Sequence, residues 1–277
     1  AGRGACYVFD CLSDLAVDWY SDRMLGNFFM LACPFLYKLD TIAYFSVFRN
    51  NHSPLAIDAI TNTAQVVITV YRNKDRLYVQ PLKVDQRHSP TMYTLNEWRD
   101  NQFTPITNSA VTAEILTRNP QPWLDFTIHR PEVWMRTFAE AQEALAALQE
   151  GTTDPASLES LRDRLLRMAI TRQEKIAKLA RRYLPLPRLI GILQRMIGTG
   201  LIGGKSLGML LSRAILEESD PAWRDKLEPH DSFFIGSDVF YTYLVQNDCW
   251  WLRRRRPGMS METILENAAQ ARGKILA

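Results

Sequence analysis

Residues 4–10, Gly-Ala-Cys-Tyr-Val-Phe-Asp, form a short apolar run that ends in an acid. A continuous run of that length predicts a buried parallel strand with Asp10 at its carboxyl end. From Asp22 to Leu39 apolar residues recur at helical spacing, with Pro34 as a local irregularity. Thr41 to Phe48 is rich in aromatic and β-branched residues and predicts a second buried strand. A short helix follows from about Ser53 to Thr61, with Pro54 suited to its first turn. Gln65–Tyr71 and Arg76–Val84 flank a polar turn, Arg72-Asn73-Lys74-Asp75, and predict an antiparallel hairpin. This succession predicts an α/β fold whose sheet is mainly parallel, with the hairpin as its antiparallel edge.

After about residue 95 the periodicity fades, and Pro105, Pro120, Pro122 and Pro131 punctuate what reads as connecting structure. Three amphipathic helices are then expected, from Pro131 to about Glu150, from Pro155 to about Ala169 and from about Thr171 to Tyr183. Arg and Lys on their polar faces read as a solvated surface. A Gly-rich segment, 198–206, opens a further helix running to about Glu217. A strand at Ser232–Ile235 leads into a helix from Ser237 to about Gln246, and a last helix begins at Met261.

Composition narrows the class without naming the chemistry. Hydrophobic content of 47% and charged content of 23% are ordinary for a globular protein. A net charge of +3 gives no reason to expect nucleic acid or an anionic membrane as partner, and no apolar run reaches the ~18 residues of a membrane span. With no export signal, the expected setting is cytoplasmic. Cys6, Cys11, Cys33 and Cys249 lack ligand or CxxC spacing and read as free thiols. His52, His88, His129 and His230 read as structural or surface residues. Arg253–Arg256 beside Trp250 and Trp251 reads as a solvated loop, with the tryptophans anchoring the preceding helix.

The segment Gly-Thr-Gly-Leu-Ile-Gly-Gly-Lys-Ser invites a P-loop assignment and fails it by spacing, because Thr199 occupies the first-glycine position. The residues before it, Leu189–Met196, read as an amphipathic helix. What remains is glycines that let amides approach an anion, a lysine, and a helix that starts at once. Ile202-Gly203-Gly204-Lys205-Ser206-Leu207-Gly208-Met209-Leu210, with Asp231 to Phe240 after it, resembles the amino-terminal part of the pyruvate,phosphate dikinase and phosphoenolpyruvate synthase family. The resemblance covers about residues 197–277. It implies the start of an ATP-grasp domain in which Gly203, Gly204, Lys205 and Ser206 contact the phosphates of ATP.

The front of the chain resembles the RecA superfamily, in its KaiC type. Tyr7-Val8-Phe9-Asp10 is similar to a Walker B strand, which implies that Asp10 orients Mg2+. Ser13 and Asp14 follow as in that family, with Cys11 in place of a serine. Pro81 to Ser89 resembles the terminal strand that presents a Lys/Arg pair to a neighbouring subunit, which implies nucleotide contacts for Lys83 and Arg87, here set wider than the usual Lys-x-Arg. Three regions are expected: a partial RecA/KaiC-like domain over 1–100, connecting structure and a helical linker over 101–196, and the beginning of a dikinase-type ATP-grasp domain over 197–277. The phosphate loop of the RecA/KaiC family would lie before residue 1, and the remaining nucleotide and metal ligands of the dikinase family after residue 277, so the chain is expected to be a fragment, inactive alone. Three functions stay open. One is part of an ATP- and Mg2+-dependent phosphotransferase acting on pyruvate or phosphoenolpyruvate. A second is a non-catalytic RecA/KaiC-like module that forms homo-oligomers or signals. The third is a permuted GTPase-like protein that uses Lys205 together with Asp10.

Overall fold

The computed structural model describes residues 3–48, 51–118, 132–150, 155–228, 231–250 and 258–276. His129, His230, Trp251 and the Arg253–Arg256 run lie outside the described residues. Strand β1 (Cys6–Phe9) runs parallel to β2 (Ile42–Phe45), with Cys6 opposite Ile42 and Phe9 opposite Phe45. Between them come α1 (Leu12–Trp19) and α2 (Asp22–Tyr37), the crossover that a parallel pair requires. Pro34 is accommodated within the last turns of α2. Helix α3 (Pro54–Thr63) carries its proline at the first turn, as expected. Leu12, Ala16, Leu25, Phe29 and Ile60 form the core beneath this unit.

The two strands are buried on one side only. Val8, Ile42 and Tyr44 are 73%, 63% and 59% exposed, whereas Phe9 stacks on Phe45 with ring centroids 4.4 Å apart. The expectation of fully buried strands is corrected accordingly: among the described residues nothing covers the outer face.

The hairpin forms as predicted, β3 (Val66–Asn73) against β4 (Arg76–Val84), but it does not edge the parallel pair. It belongs to a separate antiparallel meander, completed by β5 (Asn96–Arg99) and β6 (Gln102–Pro105) in the order β3-β4-β5-β6. Lys74 and Asp75 at the first turn, and Asp100 and Asn101 at the last, all have positive φ, which is the backbone of two-residue type I′ turns. Helix α4 (Ser109–Arg118) closes over this sheet, where Tyr71, Tyr78, Leu95 and Ile115 pack together.

The helical region comprises α5 (Val133–Gln149), α6 (Pro155–Leu165), α7 (Glu174–Tyr183) and α8 (Leu186–Gln194). Residues Leu166–Ile170 add a buried π turn after α6. Strand β7 (Met196–Ile197) follows α8 directly and pairs in parallel with β8 (Phe234–Ile235). Helices α9 (Gly204–Ser219) and α11 (Ser237–Gln246) begin where these strands end, with the short α10 (Trp223–Lys226) between them. The last helix is α12 (Met261–Leu276). Trp250 packs on Tyr241 of α11, with centroids 5.8 Å apart. One core serves the helical region and the β7–β8 unit together, since Leu165, Met168, Leu184, Leu189, Leu207 and Phe234 share it. No helix among the described residues is long and apolar enough to cross a membrane.

Candidate functional site

Both strands of the β7–β8 pair leave at the same end, β7 through residues 198–203 into α9 and β8 through Gly236 into α11. In parallel α/β arrangements this carboxyl end is where ligands bind, because helix amides converge there. The two helix starts differ. At α11 the loop itself takes the amides: Ser237 N–H donates to Leu201 O at 3.0 Å and Asp238 N–H to Thr199 O at 3.2 Å. At α9 the residue before the first turn is Gly203, extended at φ −66° and ψ 150°, with no side-chain cap among the described residues. Gly203, Gly204 and Lys205 are exposed, and a Cβ at either glycine would meet nothing within 4 Å.

The loop before α9 is pinned. Asp238, 1% exposed, accepts the Thr199 N–H at Oδ1 (2.7 Å) and the Thr199 hydroxyl at Oδ2 (2.9 Å). Thr199 Oγ1 also stands 2.9 Å from Ser21 Oγ, which in turn takes Met24 N–H at the start of α2. Leu201 N–H donates to Ser237 Oγ at 3.1 Å, and Ile202 N–H to Ala169 O of the π turn at 2.8 Å. Gly198 and Gly200, at φ 78° and 85°, are required by space as well as by conformation. A Cβ on either would lie 2.4 Å from Asp238 Oδ1 or Ser237 Oγ.

Beside this clamp lies a cleft of about 530 Å³ lined by Arg23, Glu132, Trp134, Phe138, Met196 and Asp238, among others. Burial, with the Asp22 and Asp238 carboxylates nearby, pushes the Glu132 carboxyl above the ordinary glutamate range, against the opposing pull of Arg23 and the Asp22 N–H. Arg23 stands 3.9 Å from Asp238 Oδ2, an ion pair without a hydrogen bond.

Behind Asp22 a buried chain of hydrogen bonds runs into α1. Ser13 Oγ is 2.7 Å from His52 Nε2, His52 Nδ1 is 3.1 Å from Asp22 Oδ1, and Ser53 N–H donates to Asp22 Oδ2 at 2.6 Å. The contact order is that of a nucleophile, base and acid. However, Ser13 is only 4% exposed, and its oxygen already accepts Phe48 N–H at 2.9 Å. The arrangement seals a hydroxyl away from substrate and knits α1, α2 and the segment before α3 together.

Of the residues singled out from sequence, Gly203, Gly204, Lys205 and Ser206 come together at the opening of α9, Gly203 as the extended residue before it and the other three in its first turn. Asp10 is exposed at the end of β1 and accepts the Ser46 hydroxyl at 2.9 Å. Lys83 Nζ donates to Thr61 O and Asn62 O, each at 3.0 Å, so its charge rests on the carboxyl end of α3. Arg87 is exposed beyond β4. None of Asp10, Lys83, Arg87 or Lys205 lines the cleft. Leu189–Met196, expected as one helix, is helical only to Gln194, and a short strand does precede the Gly-rich loop; the P-loop spacing still fails. Among the described residues no group of three His, Cys, Asp or Glu side chains is placed to hold a metal. Sequence reasoning missed Thr199, Asp238, Arg23 and Glu132. An acid at the second position of a predicted helix was the visible signal for Asp238, but nothing in the chain ties it to Thr199. No family model matches the chain, and neither curated proteins nor solved structures give a significant match.

Proposed function

We propose that this chain supplies a nucleotide-phosphate contact to an ATP-dependent phosphotransferase of the pyruvate,phosphate dikinase or phosphoenolpyruvate synthase type. The observation that carries the proposal is the start of α9: an uncapped first turn opening from a parallel strand through a glycine loop, with exposed Lys205 on that turn. Amides and a cation at that place suit the spread negative charge of a polyphosphate. The residues that would hold it are Gly203, Gly204, Lys205 and Ser206. ATP would bring the transferable phosphoryl group and Mg2+ would accompany its phosphates. Asp10, a single exposed carboxylate, suits Mg2+ only where phosphate oxygens fill most of the metal's other positions. Pyruvate or phosphoenolpyruvate would be the substrate of the larger protein.

Two observations favour a non-catalytic role for the amino-terminal part. Lys83 is engaged by α3 and is not presented outward. The outer face of the β1–β2 pair, with Val8, Ile42 and Tyr44, is an exposed apolar surface of the kind that assembles with another polypeptide layer. Titrating ATP into the full chain while following backbone amide NMR shifts tests the phosphate site. Weak binding is expected, with shifts centred on residues 203–206, and Lys205→Ala should weaken it by about tenfold or more. Shifts of equal size in both proteins, or none in the unaltered chain, would overturn the proposal.

A further inference from the structure

We infer that Asp238 is the positioning residue of the phosphate-binding turn, and that through Thr199 and Ser21 it ties that turn to the amino-terminal module. This rests on the phosphate assignment made above for Gly203–Ser206. Four amides or hydroxyls fix the loop before α9, and three of them are received by α11: Thr199 N–H and Oγ1–H by Asp238, and Leu201 N–H by Ser237. The fourth, Ile202 N–H, is received by Ala169 O. These bonds, with the Ser237 and Asp238 amides donating back to Leu201 O and Thr199 O, offset the freedom that Gly198 and Gly200 would otherwise give the loop.

Asp238 is suited to the task because it is an anion kept almost wholly from water. Both of its oxygens are used by one residue, and hydrogen bonds to a buried charge are stronger than those between neutral groups. A turn held this way meets an anion with its amides already aligned, so binding does not have to order it. The link to the front of the chain is equally direct. Thr199 lies 178 positions from Ser21, yet their hydroxyls are 2.9 Å apart, and Ser21 is the residue that caps α2. Asn27 of the same helix donates to Thr242 of α11 at 2.9 Å, a direct tie between α2 and the helix that carries Asp238. Movement at the start of α2 is therefore transmitted to the loop that aims Lys205.

The test uses the full chain carrying Asp238→Asn, Thr199→Val, Thr199→Ser or Ser21→Ala. Two quantities are read: ATP affinity from the NMR titration, and hydrogen exchange of amides 199–206 without nucleotide. Asp238→Asn and Thr199→Val should speed exchange across the loop and weaken ATP binding by about tenfold. Thr199→Ser keeps both donors and should match the unaltered chain in both respects, which a purely steric role for Thr199 does not predict. Ser21→Ala should weaken ATP binding roughly two- to fivefold, and an unchanged affinity would remove the link to the amino-terminal module. Faster exchange with unchanged ATP affinity in Asp238→Asn or Thr199→Val would overturn the positioning role, and unchanged exchange would overturn the clamp itself. Should Asp238→Asn fail to fold, the Thr199 pair decides. Absence of ATP binding by the unaltered chain would sink the phosphate assignment and this inference with it, an outcome distinguishable because loop exchange still reports on the clamp.

Discussion

Replacing Asp22 by Asn tests whether the buried chain at the start of α2 is directed by charge. Phe48 N–H donates to Ser13 Oγ, the Ser13 hydroxyl to His52 Nε2, His52 Nδ1–H to Asp22 Oδ1, and Ser53 N–H to Asp22 Oδ2. That order assigns the imidazole proton to Nδ1 and leaves every donor with one acceptor. Asparagine keeps the shape but turns one oxygen into a donor, so either Ser53 N–H or His52 Nδ1–H then faces another donor. Moving the imidazole proton to Nε2 relocates the conflict to the Ser13 hydroxyl, which is 4% exposed and has no other acceptor among the described residues. A hydrogen bond to a charged group contributes about 1.5–3 kcal/mol, and a stranded buried donor costs about 1–3 kcal/mol. The expected loss is therefore about 2–4 kcal/mol, a large share of the ~5–15 kcal/mol that holds a typical domain folded. Urea unfolding followed by tryptophan fluorescence should show a lower midpoint with an unchanged slope. Stability within about 0.5 kcal/mol of the unaltered chain would refute the directed network.

Glu132→Gln should change the pH profile of stability. The folded-state pKa of Glu132 is raised, so its contribution is fully present below the ordinary glutamate range and is lost as pH rises through the raised value. The variant should be the more stable protein at neutral pH and lack that decline, as read from thermal midpoints across the acid-to-neutral range. Gly236→Ala should destabilise by about 1–3 kcal/mol, because its Cβ would lie 2.2 Å from the Thr199 carbonyl oxygen, a backbone atom that cannot rotate away. Gly208→Ala, in α9 with open space around the added methyl, should instead stabilise by about 0.5–1 kcal/mol. Urea midpoints of the two glycine variants check both signs. Lys83→Met should cost about 0.5–1.5 kcal/mol by stripping the cation from the last turn of α3, and it should leave ATP affinity unchanged in the same NMR titration.

The elements legible from the chain are those whose signal is local. The β3–β4 hairpin was readable because β-branched residues surround a polar turn, and α3 because Pro54 opens it. Helix α9 was readable from the Gly-rich segment before it, and α11 from the short strand that leads into it. The second hairpin was not. Asn96–Arg99 and Gln102–Pro105 show no alternating apolar pattern, and they become strands by pairing with β4 across the Asp100-Asn101 turn. The sheet order failed for a related reason. Apolar content shows that β1 and β2 are strands, but which strands adjoin depends on long-range pairing, which keeps the meander apart from the parallel pair.

The same division runs through the candidate site. Gly203, Gly204, Lys205 and Ser206 are consecutive, so the chain alone placed them together at the opening of α9. Local sequence also exposed the flaw in the P-loop assignment, since spacing is a property of the chain. Tertiary structure alone decided that Thr199, Asp238 and Ser21 meet, that Lys83 caps a helix, and that Glu132 is buried within reach of the Asp22 and Asp238 charges. Each of those facts joins residues far apart in sequence, and burial strengthens the Thr199–Asp238 contacts above all. A carboxylate has no fixed role in a sequence; its role follows from which donors reach it once water is excluded.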